Sequence, residues 1–132
     1  MSLAHALEAR LQDRAAAPAV FWNDIVLTFA DLDAASRRMA AGLRNHGVEP
    51  GDRVAVGLPN SPELVGSLLA VLRSGAVLVP VNPACTSDEL AHLIGDSGAC
   101  LVITHEEQAG RMSAAGLTTP VVTDLHRSVC RI

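Results

Sequence analysis

The stretch VLRSGAVLVPVNP, Val71 to Pro83, closes an apolar helical run, turns on a glycine, continues as an aliphatic strand and breaks on prolines. Upstream, Leu64, Val65, Leu68, Leu69, Val71 and Leu72 are apolar nearly all round a helix, while Gly66 and Ser67 are small enough to admit a close neighbour. Such a helix is predicted to lie buried against a sheet. Gly75 is the expected left-handed cap. AVLVPV has no polar alternation, as in a parallel-sheet strand covered on both faces. Pro80 cannot donate to a ladder and belongs at the strand end or at a bulge.

Working outward, the same alternation recurs. Leu3, Leu7 and Leu11 recur at helical spacing, and Pro18 is expected to close that helix. AVFW and IVLTF flank Asn23-Asp24, a turn-forming pair between β-prone runs, which predicts a hairpin. Thr28 and Asp31 begin a second helix with Leu32, Ala35, Met39 and Leu43 as its apolar stripe and Gly47 as its stop. Asp33 and Arg37 stand at i,i+4 on the outer side as a solvated pair.

RVAVGL reads as a strand. Ser61, Pro62 and Glu63 then carry the N-terminal signature of the helix that leads into Val71. TSDE, Thr86 to Glu89, matches a capping box ahead of Leu90, Leu93 and Ile94, with His92 on the opposite side. SGACLVIT gives a further buried strand, HEEQAGRMSAAG a short helix and PVVTD a last short strand. Strands alternating with helices imply a doubly wound, mostly parallel α/β sheet with flanking helices and an N-terminal hairpin. Residues 1–124 are expected to form this one unit, with 125–132 as an irregular tail.

Composition restricts the chemistry. The chain has 132 residues, 49% of them hydrophobic, enough for one core. A net charge of −4 and only three aromatics, Phe21, Trp22 and Phe29, argue against nucleic acid as a partner. All ten basic residues are Arg, so a P-loop lysine is excluded. Cys85, Cys100 and Cys130 are odd in number and show no CxxC spacing, which fits a reducing cytoplasm, and Cys100 is expected to be an ordinary buried thiol. No segment approaches a membrane span, so a soluble, unexported protein is expected.

Other motifs reduce to structure. G-x-G-x-x-G and G-x-S-x-G are absent, and Gly95-Asp96-Ser97-Gly98 reads as a helix cap rather than an RNA-clamping loop. His105 with Glu106-Glu107, and His126 with Cys130, supply too few ligands for zinc. Asp88 and Glu89 could be imagined as an acid and a base, but a capping box explains them. The loop LPNSPE is the one place to watch, because ligands of parallel sheets sit beyond the carboxyl ends of strands; Asn60 and Ser61 could point there.

The order LTFADL, then VLRSGAVLVPVNP, then DELAHLIGDSGACLVIT resembles the start of the ATP-dependent adenylate-forming (AMP-binding) superfamily of acyl- and aryl-CoA synthetases, luciferases and peptide-synthetase adenylation domains. LTFADL resembles its L-T/S-Y-x-E-L motif, with Phe29 for Tyr and Asp31 for Glu. VLRSGAVLVPVNP resembles L-K-A-G-x-x-x-V-P-h, h being hydrophobic, with Arg73 for Lys and Ser74 for Ala. The likeness covers about residues 3–124 and leans toward acyl-CoA synthetases, such as those of fatty acid metabolism.

The resemblance implies that the full-length enzymes use ATP, Mg and CoA to turn a carboxylic acid into an acyl-adenylate and then a thioester. Their phosphate loop, aromatic-Thr-Glu segment, ribose-binding Asp and C-terminal Lys follow the matched region, so no catalytic, cofactor-binding or metal-binding residue is assigned here. The expected protein is an N-terminal fragment, inactive alone and without a cofactor of its own. Its partner is the remainder of the ligase, or a second copy meeting an exposed apolar sheet face. The alternatives are a non-catalytic binding or interaction module on the same scaffold, and a small flavodoxin-like binder, which lacks a visible phosphate-cradling loop.

Overall fold

The computed structural model describes residues 2–122; the expected tail, and with it His126 and Cys130, lies outside the described residues. Helix α1 (Leu3–Asp13) is followed by the hairpin β1 (Pro18–Trp22) and β2 (Ile25–Thr28), then α2 (Phe29–Asn45). Three βα steps and a last strand come next: β3 (Arg53–Gly57), α3 (Pro62–Arg73), β4 (Val77–Pro80), α4 (Ser87–Ser97), β5 (Leu101–Thr104), α5 (Glu106–Ala114) and β6 (Val121–Val122). The last four strands form one parallel sheet in the order β4-β3-β5-β6.

Local chemistry sets the element ends. Thr28 Oγ1 accepts from the Asp31 N–H at 3.1 Å while Asp31 Oδ2 accepts from the Thr28 N–H at 2.9 Å, and Thr86 and Glu89 repeat the exchange at 3.2 and 2.8 Å. Each box satisfies two of the N–H groups that a helix start leaves without partners. Asn23 turns the hairpin with φ 50°, a conformation Asn tolerates without the usual glycine. Gly75 follows α3 with φ 71°, and a Cβ there would stand 3.2 Å from Pro50 Cβ, so a side chain is disfavoured on both counts. Pro18 opens β1; α1 has already ended at Asp13, so proline is not what stops it.

The pleat divides the core. Val54, Val56, Leu101 and Ile103 point into a cluster with Leu32, Ala35, Met39 and Leu43 of α2 and with Ala70 and Val71 of α3. Ala55 and Val102 point the other way, onto Leu90 and Ile94 of α4 and Met112 of α5. The sheet is thus covered on both faces by the chain's own helices, which is the doubly wound arrangement.

Several expectations change. The fully covered strands are β3 and β5; β4 lies at the sheet edge, where Val77 is 49% exposed and Leu78 and Val79 are half-buried. An edge strand meets helices over only part of its faces, whatever its composition. Helix α3 buries only one stripe, Pro62, Gly66, Ser67, Ala70 and Val71, while Leu64, Val65, Leu68 and Leu69 are half-buried. Both faces of the central strands β3 and β5 are covered by helices. Apart from Leu3 and Val77, the large exposed apolar side chains among the described residues cluster on the hairpin: Phe21 at 72%, paired across the strands with Val26 at 53%, with Ile25 and Trp22 at its tip. Cys100 precedes β5 and is exposed rather than buried, since the covered part of the sheet begins at Leu101.

Asp33 is also more than half of a solvated pair. Besides Arg37 Nε at 3.2 Å, it receives Arg73 Nη2 at 2.5 Å, and Arg73 is 6% exposed. Arg73 Nη1 further donates to the Asp33 carbonyl at 2.9 Å and to Ser36 Oγ at 2.8 Å. The last residue of α3 is therefore bolted to the first turns of α2.

Candidate functional site

In an open parallel sheet the ligand crevice lies beyond the carboxyl ends of the strands, where successive crossovers leave toward opposite faces. Here α3 covers one face and α4 and α5 the other, so that point lies between β3 and β5. Two hollows open there. A cleft of about 460 Å³ is lined by Pro59, Pro83, Cys85, Thr86, His105 and Arg111, among others, and one of about 170 Å³ by Leu58, Pro59, Ser61, Glu63 and His105.

A buried amide shapes the floor. Gln108, fully buried, meets Thr104 Oγ1 through Oε1 at 2.5 Å, and its Nε2 donates to the Pro83 carbonyl at 3.2 Å and lies 3.5 Å from Cys85 Sγ. Thr104 Oγ1 is also 2.9 Å from the Gly57 carbonyl, so its single proton is shared between two acceptors. Gly57 leaves the necessary room: a Cβ there would stand 2.9 Å from Gln108 Oε1. Arg111 Nη2 donates to the Pro83 carbonyl from the other side, at 3.2 Å. These bonds fix the β4–α4 loop over the strand ends.

Three helices, α3, α4 and α5, start at this rim, each with its dipole positive end toward the cleft. Each start is already compensated. Ser61 Oγ accepts from the Leu64 N–H at 3.2 Å, and it donates to the Pro59 carbonyl at 2.8 Å, so the hydroxyl suspected of facing a ligand is used by the turn. Glu89 closes the box of α4, which accounts for the Asp88-Glu89 pair. His105 Nδ1 accepts from the Gln108 N–H at 3.3 Å, and Glu106 and Glu107 occupy the first turn of α5. Gly98 caps α4 at φ 71°, as expected for the GxxG segment. Among the described residues no group of three or more His, Cys, Asp or Glu could hold a metal ion.

Asn60 is exposed on the rim. Gln108 had no motif to announce it. As the third residue of α5 it resembles a capping-box Gln, whose amide would fold back on the cap; instead it crosses to another loop. The chemistry the arrangement can perform is to hold loops in place. Arg111 is the cleft's cation, and it is engaged by Pro83 and by Glu107 at 3.2 Å.

Comparison with known proteins agrees with this geometry. The AMP-binding enzyme family model matches residues 7–129. Feruloyl-CoA synthase of an Amycolatopsis species is 43% identical over 74% of this chain and 20% of its own length. Phosphinothricin tripeptide synthetase PhsC of Streptomyces viridochromogenes is 37% identical over 76% of this chain and 9% of its own. O-succinylbenzoate coenzyme A synthetase (MenE) of Bacillus subtilis, solved with AMP, superposes with a TM-score of 0.82 at 27% identity, over 94% of this chain and 32% of that one. The chain therefore spans a fifth or less of these curated relatives' lengths. With a match from one end of the fold to the other and the helix-glycine-strand crossover in its place, the chain belongs to the AMP-binding enzyme family.

Proposed function

We propose that this chain is the N-terminal sheet-and-helix unit of an AMP-forming acid–thiol ligase of the acyl-CoA synthetase kind, and that it forms no adenylate by itself. The observation that supports this reading is the family match over residues 7–129 in a chain without lysine, whose strand-end helices are capped by their own side chains. The higher identity to a feruloyl-CoA synthase than to a peptide synthetase favours a CoA ligase acting on an acyl or aryl carboxylic acid. The complete reaction would use ATP and Mg to join the acid to AMP, release pyrophosphate and pass the acyl group to CoA. The remainder of such a ligase is the proposed partner, and the cytoplasm the proposed location.

A second reading, a non-catalytic interaction module, draws on the exposed apolar hairpin around Phe21 and Val26, which a second copy or another protein could cover. ATP–pyrophosphate exchange with the isolated chain tests the first claim. No acid-dependent exchange is expected, and exchange above the protein-free blank overturns it. Exchange restored by co-expressing the remaining part of a CoA ligase favours the split enzyme; its failure with a stable, co-purifying complex favours the module.

A further inference from the structure

On the opposite side of the molecule from the strand-end cleft's loops, α1, α2 and α3 enclose a polar groove of about 180 Å³ lined by Glu8, Arg37, Ala40, Arg44 and Arg73. We propose that this groove is a binding site for a phosphate-class oxyanion, which displaces the Glu8 carboxylate and bridges Arg44 and Arg73. Three guanidinium groups meet here with two carboxylates, those of Glu8 and Asp33, leaving one net positive charge.

The donors outnumber the acceptors. A guanidinium carries five N–H groups. Arg73 spends three, on the Asp33 carboxylate, the Asp33 carbonyl and Ser36 Oγ. What remains includes Nε, which faces Glu8 Oε1 at 3.5 Å, an ion pair longer than a good charge-assisted hydrogen bond. Arg37 holds Asp33 through Nε. Arg44 lies two turns further along the same face of α2, and among the described residues it has no carboxylate partner.

Burial and mobility make the site selective. Arg73 is 94% withdrawn from solvent and held in one orientation, so a bidentate partner meets it already oriented. Glu8 is 43% exposed on a helix whose one buried residue is Leu11, so its carboxylate can yield to a better acceptor. The volume matches about six waters at ~30 Å³ each, room for a phosphate or a diphosphate.

The test is a titration of the full chain with inorganic phosphate, pyrophosphate and AMP at constant ionic strength, following the arginine Nε–Hε resonances by NMR. Saturable shifts of Arg44 and Arg73 are expected, and the tightest of the three probes separates a free oxyanion from a nucleotide-borne phosphate. Arg44→Gln should weaken half-saturation by about fivefold or more, and Glu8→Gln should tighten it by about twofold or more. Both positions are exposed or half-exposed, so the fold should survive. Arg111→Gln, on the other face of the sheet, should leave it unchanged. Shifts that grow without saturation, that chloride reproduces, or that are the same in Arg44→Gln and Glu8→Gln would mean a diffuse counterion only and overturn the proposal.

Discussion

Arg73 Nη2 and Asp33 Oδ1 lie 2.5 Å apart across forty residues of sequence, joining the C-terminus of α3 to the second turn of α2. Arg73 stands where the family motif carries Lys. Its planar fork serves a carboxylate, a carbonyl and a hydroxyl together, which an ammonium on the same stem would not do in one geometry.

Arg73→Ala is expected to destabilise the fold by about 2–4 kcal/mol, because it removes three charge-assisted hydrogen bonds, to the Asp33 carboxylate, the Asp33 carbonyl and the buried Ser36 hydroxyl, and leaves Asp33 with the exposed Arg37 alone. Arg73→Lys should cost less, about 1–2 kcal/mol, since one charge contact survives. Urea denaturation measures both. An alanine variant indistinguishable from the parent would show that the bolt contributes nothing.

The same pair sets a pH dependence. Burial raises the Asp33 carboxyl, but hydrogen bonds and charge from Arg73 and Arg37 outweigh it and hold the group below its ordinary 3.8. With the folded value below the unfolded one, the stabilisation is fully present above pH ~4 and fades as pH falls through the folded value. The stability gap between the parent and Asp33→Asn should therefore narrow only below about pH 4. A gap that is constant from neutral to strongly acid pH contradicts this.

Gly57 and Gln108 should behave as one unit. Gly57→Ala forces a methyl to 2.9 Å from Gln108 Oε1, at an expected cost of about 1–3 kcal/mol. In a Gln108→Ala background the methyl has space, and the same substitution should cost at least about 0.5 kcal/mol less. A double-mutant cycle by thermal or urea unfolding decides; strict additivity removes the claimed contact.

On the hairpin, Phe21→Ser with Val26→Thr should leave unfolding within about 0.5 kcal/mol of the parent, since both side chains already face water. It should lower dye binding to apolar surface and any concentration-dependent association seen by sedimentation. If both readouts stay unchanged, this face is not the sticky one.

Much of the site was hidden for a specific reason. LPNSPE and the Thr86 box were readable because a cap and its helix are neighbours in sequence. Gln108 was not, because Pro83 and Cys85 lie more than twenty residues away in the β4–α4 loop, and only the packing of α5 on the sheet brings that loop to the Thr104–Gln108 pair. The spacing of Asp33 and Arg37 likewise reads as an ordinary surface pair until α3 delivers Arg73.

The sequence by itself determined the parts decided by near neighbours: the capping boxes at Thr28 and Thr86, the Asn23 turn, the helix-glycine-strand passage through Gly75, and the βα alternation that carries the family likeness. Tertiary structure alone decided what depends on strand order and distant charge. Val71 to Pro83 illustrates both. Its helix, turn and strand formed as its residues dictate, yet its strand is half-exposed, because position in a sheet is set by which strands pair and not by how apolar any one of them is.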